Sequence, residues 1–247
     1  IRTLSQAGVE IVLHVFAYGR RVDDQLRSIC SQIYIYPRKR AILNLFSRVP
    51  FIVNTRSSSI LLENLNEDDD PVLLEGLHTT ALLKGEVMKE RRVFVRTANI
   101  EHEYYRALAK AAKSWWKKMF FRMEACKLMR WEKILNRADG IISISHADYS
   151  WFSEQYRDPK HLMLPVFHGT DEVNIGTGKG NYLLYHGNLS VAENYRVAEE
   201  LILLLGGVSG YSCGTAHAPF GVVWNSAVLC VSFFRWDGSS DFCGCGA

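Results

Sequence analysis

One pattern constrains this fold more than any other, and it occurs twice between Val93 and Phe152. A short apolar run, Val93-Phe94-Val95, ends in a polar turn, Arg96-Thr97-Ala98-Asn99-Ile100-Glu101-His102. A long helical stretch follows. A second apolar run, Gly140-Ile141-Ile142-Ser143-Ile144, then ends in a second polar turn, Ser145-His146-Ala147-Asp148. Apolar runs of this length bounded by turn residues read as buried strands. Each turn carries a histidine and a carboxylate where a strand ends, which is where open α/β sheets place their chemistry.

The same alternation extends in both directions. Ile1 to Gly8 reads as the end of a helix, with Gly8 as its C′ residue. Val9 to Phe16 and Gln32 to Tyr36 read as strands, and Pro37-Arg38-Lys39-Arg40 turns away from the second. A short helix is expected over 41–46, another over Ser57 to Leu65, a strand at Val72-Leu73-Leu74 and a helix from Ala81 to Met88. Glu103 to Arg137 reads as a pair of helices, and His161 to Val166 as one more strand. Ser145 and Asp148 form a capping box with Asp in place of the usual Glu or Gln, starting a helix through Tyr156. Strands alternating with helices predict an α/β fold, a Rossmann-like parallel sheet wound on both faces, followed by the start of a second domain of the same kind.

A composition shift marks the boundary. Residues 1–170 make the first domain, and the polar, Gly-rich stretch 171–180 makes a linker. Residues 181–205 begin the second domain: strand Tyr182-Leu183-Leu184-Tyr185, a tight His186-Gly187-Asn188-Leu189 loop, and a helix through Leu205 capped by Ser190 and Glu193. The tail over 206–247 has little charge, frequent Gly and Cys and no helical period, so it does not continue the alternation. A shift of reading frame after Leu205 would produce such a tail, and translating the other two frames tests that. The sequence opens inside a helix end at Ile1, without methionine, and is expected to be a piece of a longer chain.

With 247 residues, 48% of them hydrophobic, the chain can bury a sizeable core. A net charge of +3 does not itself imply nucleic acid, but the basic excess concentrates between Arg106 and Arg137. No apolar run is long enough to span a bilayer. Cys30 and Cys126 are isolated, and Cys213, Cys230, Cys243 and Cys245 crowd the end. This is unlike a disulfide scaffold and favours a reducing, cytoplasmic setting. Cys243-Gly-Cys245 lacks the second pair that a zinc site needs.

Several motifs resemble, in order, the amino-terminal half of bacterial GT-B glycosyltransferases of the retaining, family-four kind. They are Pro50-Phe-Ile-Val, Pro71-Val-Leu-Leu-Glu-Gly-Leu-His78, Arg96-x-x-Asn99-Ile-Glu-His102-x-Tyr-Tyr, Ala138-Asp139-Gly-Ile-Ile-Ser-Ile-Ser145-x-Ala-Asp148, Leu164-Pro-Val-Phe-His168 and Tyr185-His-Gly187-Asn188-Leu-Ser-Val-x-Glu-Asn194. Together they cover Ile1 to about Leu205. The resemblance implies an acceptor domain and a donor domain facing across a cleft. It implies transfer of a sugar from a nucleotide-sugar donor to the hydroxyl of a carbohydrate or lipid-linked acceptor, with retention and without a cofactor or metal. It places the first strand and Gly-rich acceptor loop of such enzymes before Ile1, and most of the donor half after Leu205. The chain as given is expected to be inactive alone. Where such enzymes commonly carry a histidine, this chain has Ala98.

The candidate catalytic residues are His78 and Glu75. His78 follows a buried strand and a Glu-Gly-Leu turn, and matches the family's cleft histidine; the alternative is a loop histidine bonded to its own helix start. Glu75 either orients His78 or an acceptor hydroxyl, or is a helix N-terminal carboxylate satisfied by amides. Arg96, Asn99, Glu101 and His102 are the candidate acceptor-binding residues. Arg96 suits a phosphate or acidic acceptor, with a salt bridge to Glu101 or Glu103 as its rival. Asn99 suits an N-cap, leaving Glu101 and His102 in the first turn. Gly187 and Asn188 form the donor-side loop, where backbone amides approach a diphosphate.

Between Lys110 and Lys133, Trp115, Trp116, Phe120 and Phe121 lie beside Lys113, Lys117, Lys118 and Arg122. Tyr104, Tyr105, Leu108, Ala112, Trp115, Trp116, Met119, Phe120 and Met123 recur at helical steps, as one core-facing stripe would. Leu128, Trp131 and Leu135 continue it. The alternatives are a helix packed on the sheet with a solvated basic face, contact with an anionic membrane surface, and nucleic acid, which is not the expected partner. The rival function is a non-catalytic α/β module that docks through residues 110–133. The expected localisation is cytoplasmic, with peripheral attachment at the inner face of the membrane as one option.

Overall fold

The structure, a computed structural model, describes residues 1–17, 22–39, 45, 47–85, 88, 90–166, 192–206 and 229–235. The chain divides into two compact units, 1–167 with 228–247, and 168–227.

The first unit begins with helix α1 (Arg2–Gln6). It ends in a Schellman motif. Gly8, at φ +82°, directs its amide to the Ser5 carbonyl and the Val9 amide to the Leu4 carbonyl, each at 3.0 Å. Gly8 is thus the C′ residue expected. Then come β1 (Glu10–Ala17), α2 (Asp24–Ile29), β2 (Gln32–Pro37), α3 (Phe51–Asn54), α4 (Ser59–Leu65) and β3 (Val72–Glu75). A 3₁₀ helix (Leu77–Lys84) leads to β4 (Val93–Thr97), α5 (Glu101–Ala111) and α6 (Trp115–Trp131). A second 3₁₀ stretch (Glu132–Arg137) leads to β5 (Gly140–Ser143), α7 (His146–Gln155) and β6 (Lys160–Met163). In the second unit the described element is α8 (Ala192–Gly206), and β7 (Leu229–Arg235) returns to the first.

One seven-stranded sheet results, in the order β2-β1-β7-β3-β4-β5-β6. The pairs β1–β2, β3–β4, β4–β5 and β5–β6 are parallel. This is the Rossmann-like α/β architecture that the alternation predicts. The departure comes from the tail. β7 runs antiparallel to both neighbours, pairing Glu10 with Arg235 on one side and Val72 with Phe233 on the other.

Burial explains why β1 sits inside the sheet. Ile11 and Leu13 pack with Cys30 on one face, while Phe16 joins the main core on the other. A strand covered on both faces needs apolar residues without alternation, as in Ile11-Val12-Leu13. His14 is the polar exception. It is buried, its Nδ1 lies 2.7 Å from the Tyr36 hydroxyl, and burial pushes its pKa down to about 4. The edges are tied by charge. Arg91 is buried, ion-pairs with Asp68, and donates to the carbonyls of Leu65 and Asp70, closing the acidic connection after α4. Asp139 accepts from the Val93 amide at 2.6 Å and aligns the starts of β4 and β5.

Some expectations shift. The helix predicted from Ala81 to Met88 is instead the 3₁₀ helix at Leu77–Lys84. The hydroxyls of Thr79 and Thr80 donate to the carbonyls of Gly76 and Leu77, at 2.8 and 2.6 Å, and hold the chain in tighter turns. Leu128, Trp131 and Leu135 are buried as expected. The stripe before them is a core face only in part: Tyr105 packs against the core and Phe120 against Phe51, whereas Trp115, Trp116, Met119 and Met123 are exposed, and α6 turns Glu124, Ala125, Leu128 and Trp131 inward. The helix expected over 41–46, the linker 171–180, the strand at 182–185 and the Ser190 cap lie outside the described residues, whereas the helix through Leu205 is present as α8.

Candidate functional site

The parallel strands all end at one edge of the sheet, so the residues that follow them converge. β2 delivers Arg38, β3 delivers Gly76 and His78, and β4 delivers Glu101. The turn after α3 delivers Arg56, and α3 packs against the 3₁₀ helix that carries His78.

Gly76 builds the position of His78. It stands at φ +83°, and a Cβ there would fall 2.5 Å from His78 Cε1 and 2.8 Å from its Nδ1. The imidazole therefore folds back over the glycine, in space that any side chain would fill. Burial first, then the Arg56 and Arg38 cations, together lower the His78 pKa to about 3. His78 is neutral at pH 7, with one ring nitrogen to donate and one to accept. Gly76→Ala is expected to cost about 1–2 kcal/mol for the left-handed backbone alone, and to displace the ring as well. Chemical denaturation checks the first effect, and the titration shift of the His78 ring protons towards an ordinary histidine checks the second.

Glu101 lies in the first turn of α5. Burial first and then the Glu132 charge raise its pKa to about 7, against the opposing effect of Arg56. The Tyr105 hydroxyl, one helical turn on, is pushed above its ordinary range by burial first and then by Glu101. Arg38, His78, Arg56, Glu101 and Tyr105 therefore form one electrostatic cluster. The Arg38 Nε donates to the Thr55 hydroxyl at 3.0 Å, and Arg56 Nη1 donates to the Ile52 carbonyl at 2.7 Å.

The other expected site residues have different settings. Glu75 and Arg96 face each other across β3 and β4 and pair at 2.9 Å, both partly exposed. The salt bridge expected from Arg96 to Glu101 or Glu103 is therefore made to Glu75, since the parallel register places those two side by side. Glu75 is engaged by this guanidinium and not by helix amides. Asn99 does not cap α5. Ile100 occupies the cap position without a side-chain acceptor, and Asn99 is exposed one residue earlier. The orphan amide is satisfied from far along the chain: Glu132 Oε1 accepts from the His102 amide at 3.1 Å, and its Oε2 lies 2.6 Å from His102 Nδ1. His102 is thereby buried against Glu132 and Trp151. Burial raises the Glu132 pKa, and His102 lowers it. Ser145 caps α7 as predicted, accepting from the Asp148 amide at 3.1 Å and donating to its carboxylate at 2.6 Å. Gly187 and Asn188, with His168 and His186, lie outside the described residues.

Sequence reasoning missed Arg38, Arg56, Tyr105 and Glu132. Arg38 had a usable signal, since it directly follows a strand. Arg56 and Glu132 had none, because the first sits in an ordinary turn and the second in a helical run. Among the described residues no group of three or more His, Cys, Asp or Glu stands close enough to hold a metal ion.

No family model matches the chain, and no solved structure matches it. It is similar to a Klebsiella pneumoniae protein described as an uncharacterized 44.6 kDa protein in the cps region, with 27% identity over 202 residues. The match takes in 78% of this chain and 51% of that protein, so the chain spans about half the length of the relative it matches.

Proposed function

We propose that this chain is the acceptor side of a glycosyltransferase that moves a sugar from a nucleotide-sugar to an acceptor hydroxyl with retention. The observation that carries the reading is the cluster at the carboxyl edge of the sheet, with a neutral His78 seated over Gly76 in the electrostatic field of two guanidinium groups. His78 and Glu101 bind hydroxyls of the acceptor. A neutral imidazole and a carboxyl that titrates near 7 both offer a donor and an acceptor, which is what polyol recognition needs. The positive potential of Arg38 and Arg56 suits the diphosphate that leaves as the new glycosidic bond forms. Glu75 and Arg96 line the next strand pair and extend the acceptor surface, and Gly187 and Asn188 belong to the donor side. The similarity to a protein of a cps (capsule) region supports polysaccharide-related work.

The test is a transfer assay on the intact protein with a panel of nucleotide-sugars and saccharide or lipid-linked acceptors, scoring the product by mass. His78→Ala is expected to lower kcat/KM roughly tenfold, the worth of about one hydrogen bond between neutral partners. Consumption of no nucleotide-sugar, or activity unchanged in His78→Ala, rejects the reading.

A further inference from the structure

We infer that the α5–α6 turn and the first half of α6 form a docking surface for an anionic lipid bilayer. This goes beyond the proposed transfer reaction and does not rest on it. Trp115 and Trp116 are 59% and 75% exposed, and Met119 and Met123 are 49% and 42% exposed. Steps of four residues put Trp115, Met119 and Met123 on one helix face, and Trp116 lies against Trp115 with ring centroids 4.1 Å apart. The inward face is already occupied. Phe120 packs edge-on to Phe51, and Phe121 packs edge-on to Tyr105. The tryptophans are thus not spare core residues; they stand on the outside of a helix hairpin whose inner face is filled.

The charge around the stripe chooses the partner. From Arg106 to Arg122 there are six lysines and arginines, all exposed, and no carboxylate. The nearest acidic side chain on α6, Glu124, is fully buried against Lys127 and the Phe51 amide. Indole rings with basic neighbours match the headgroup region of a bilayer, where the ring sits at the interface and the cations meet anionic lipid. A second copy fits poorly, because a two-fold contact through this face would bring the two cationic patches together. A nucleic acid would use the cations, but the rings cross at 78° and offer no slot for a stacked base, and the methionine stripe would go unused. α5 runs from Glu101 to the turn, so the bilayer face lies about 15 Å along that helix from the candidate site.

The experiment is co-sedimentation of the full chain with vesicles of phosphatidylcholine alone, and with vesicles of equal parts phosphatidylcholine and phosphatidylglycerol. Binding is expected only to the anionic vesicles, weakened by salt. Lys117→Glu with Lys118→Glu is expected to weaken it more than tenfold, at roughly fivefold or more for each charge removed from the surface. Trp116→Ser is expected to weaken it with an unchanged melting temperature, since that ring supports little of the core. Equal binding to neutral vesicles, no binding to either, or binding that survives the double charge reversal overturns the inference. So does an oligonucleotide that binds through Lys117 and Lys118 when anionic vesicles do not, or a dimer that hides the two tryptophans. Because the readout is vesicle binding and not transfer, a negative result here leaves the assay of the proposed activity to stand or fall separately.

Discussion

Glu124→Ala is expected to lower the unfolding free energy by about 3–5 kcal/mol, the cost of breaking a buried charge pair from one side. Glu124 is fully buried on α6. Its Oε1 pairs with Lys127 Nζ at 2.8 Å, and its Oε2 accepts from the Phe51 amide at 2.6 Å. Phe51 is the first residue of α3, whose cap Pro50 has no side chain able to accept. One carboxylate therefore performs two tasks. It neutralises a lysine that also donates to the Leu45 carbonyl at 2.7 Å, and it caps the helix that presents Arg56 to the candidate site. Truncation strands an ammonium and an amide in the interior together. Urea denaturation measures the loss. A double-mutant cycle with Lys127→Met separates the two tasks, because removing the lysine relieves the stranded charge and leaves the amide unsatisfied. The double variant is expected to be more stable than Glu124→Ala and less stable than wild type. A single variant within about 1 kcal/mol of wild type would mean that Glu124 does not join α6 to α3.

The second large effect depends on pH. The Glu101 carboxyl is lifted from 4.5 to about 7, mainly by burial. The folded chain therefore holds this proton more tightly than the unfolded chain does. Below pH 4.5 both states are protonated and folding carries no penalty from this group. As pH rises to about 7, the unfolded chain has lost the proton and the folded chain resists losing it, so stability falls by about 3 kcal/mol. Glu101→Gln removes the charge and keeps the shape. It is expected to be about 2–3 kcal/mol more stable than wild type at pH 8 and nearly equal to it at pH 4.5. Denaturation at the two pH values checks this, and an equal difference at both would show that Glu101 is not held in a charge-averse place. Perturbed carboxyls of this kind cluster at functional sites, and binding the acceptor is the use proposed here.

The strands were legible because burial on both faces demands unbroken apolar runs such as Ile11-Val12-Leu13 and Gly140-Ile141-Ile142, and few other structures do. Ser145 was legible as a cap because its partner, Asp148, lies three residues away. The same reasoning failed for Asn99. That cap was expected from the residue type, but the amide it should have served is bonded by Glu132, thirty residues along the chain in the His102 pair. The apolar stripe on α6 failed for a related reason. Helical spacing shows that residues share a face but not what the face meets, and here Trp115 and Met119 face outward while Glu124 faces in.

The sequence by itself determined the type of most elements, the parallel alternation and the rule that ligand-facing residues follow the strands. His78 and Glu101 were reachable by that rule. The tertiary structure decided their company: Arg38 and Arg56 within electrostatic reach of His78, Glu132 paired with His102, Arg96 against Glu75, and β7 entering the sheet between β1 and β3. The reason is range. Capping, turn chemistry and amphipathic period act over a few residues and leave a trace in local order. Charge pairing and strand insertion join residues that only the folded chain brings together, and desolvation at such meetings sets the protonation states on which the proposed chemistry depends.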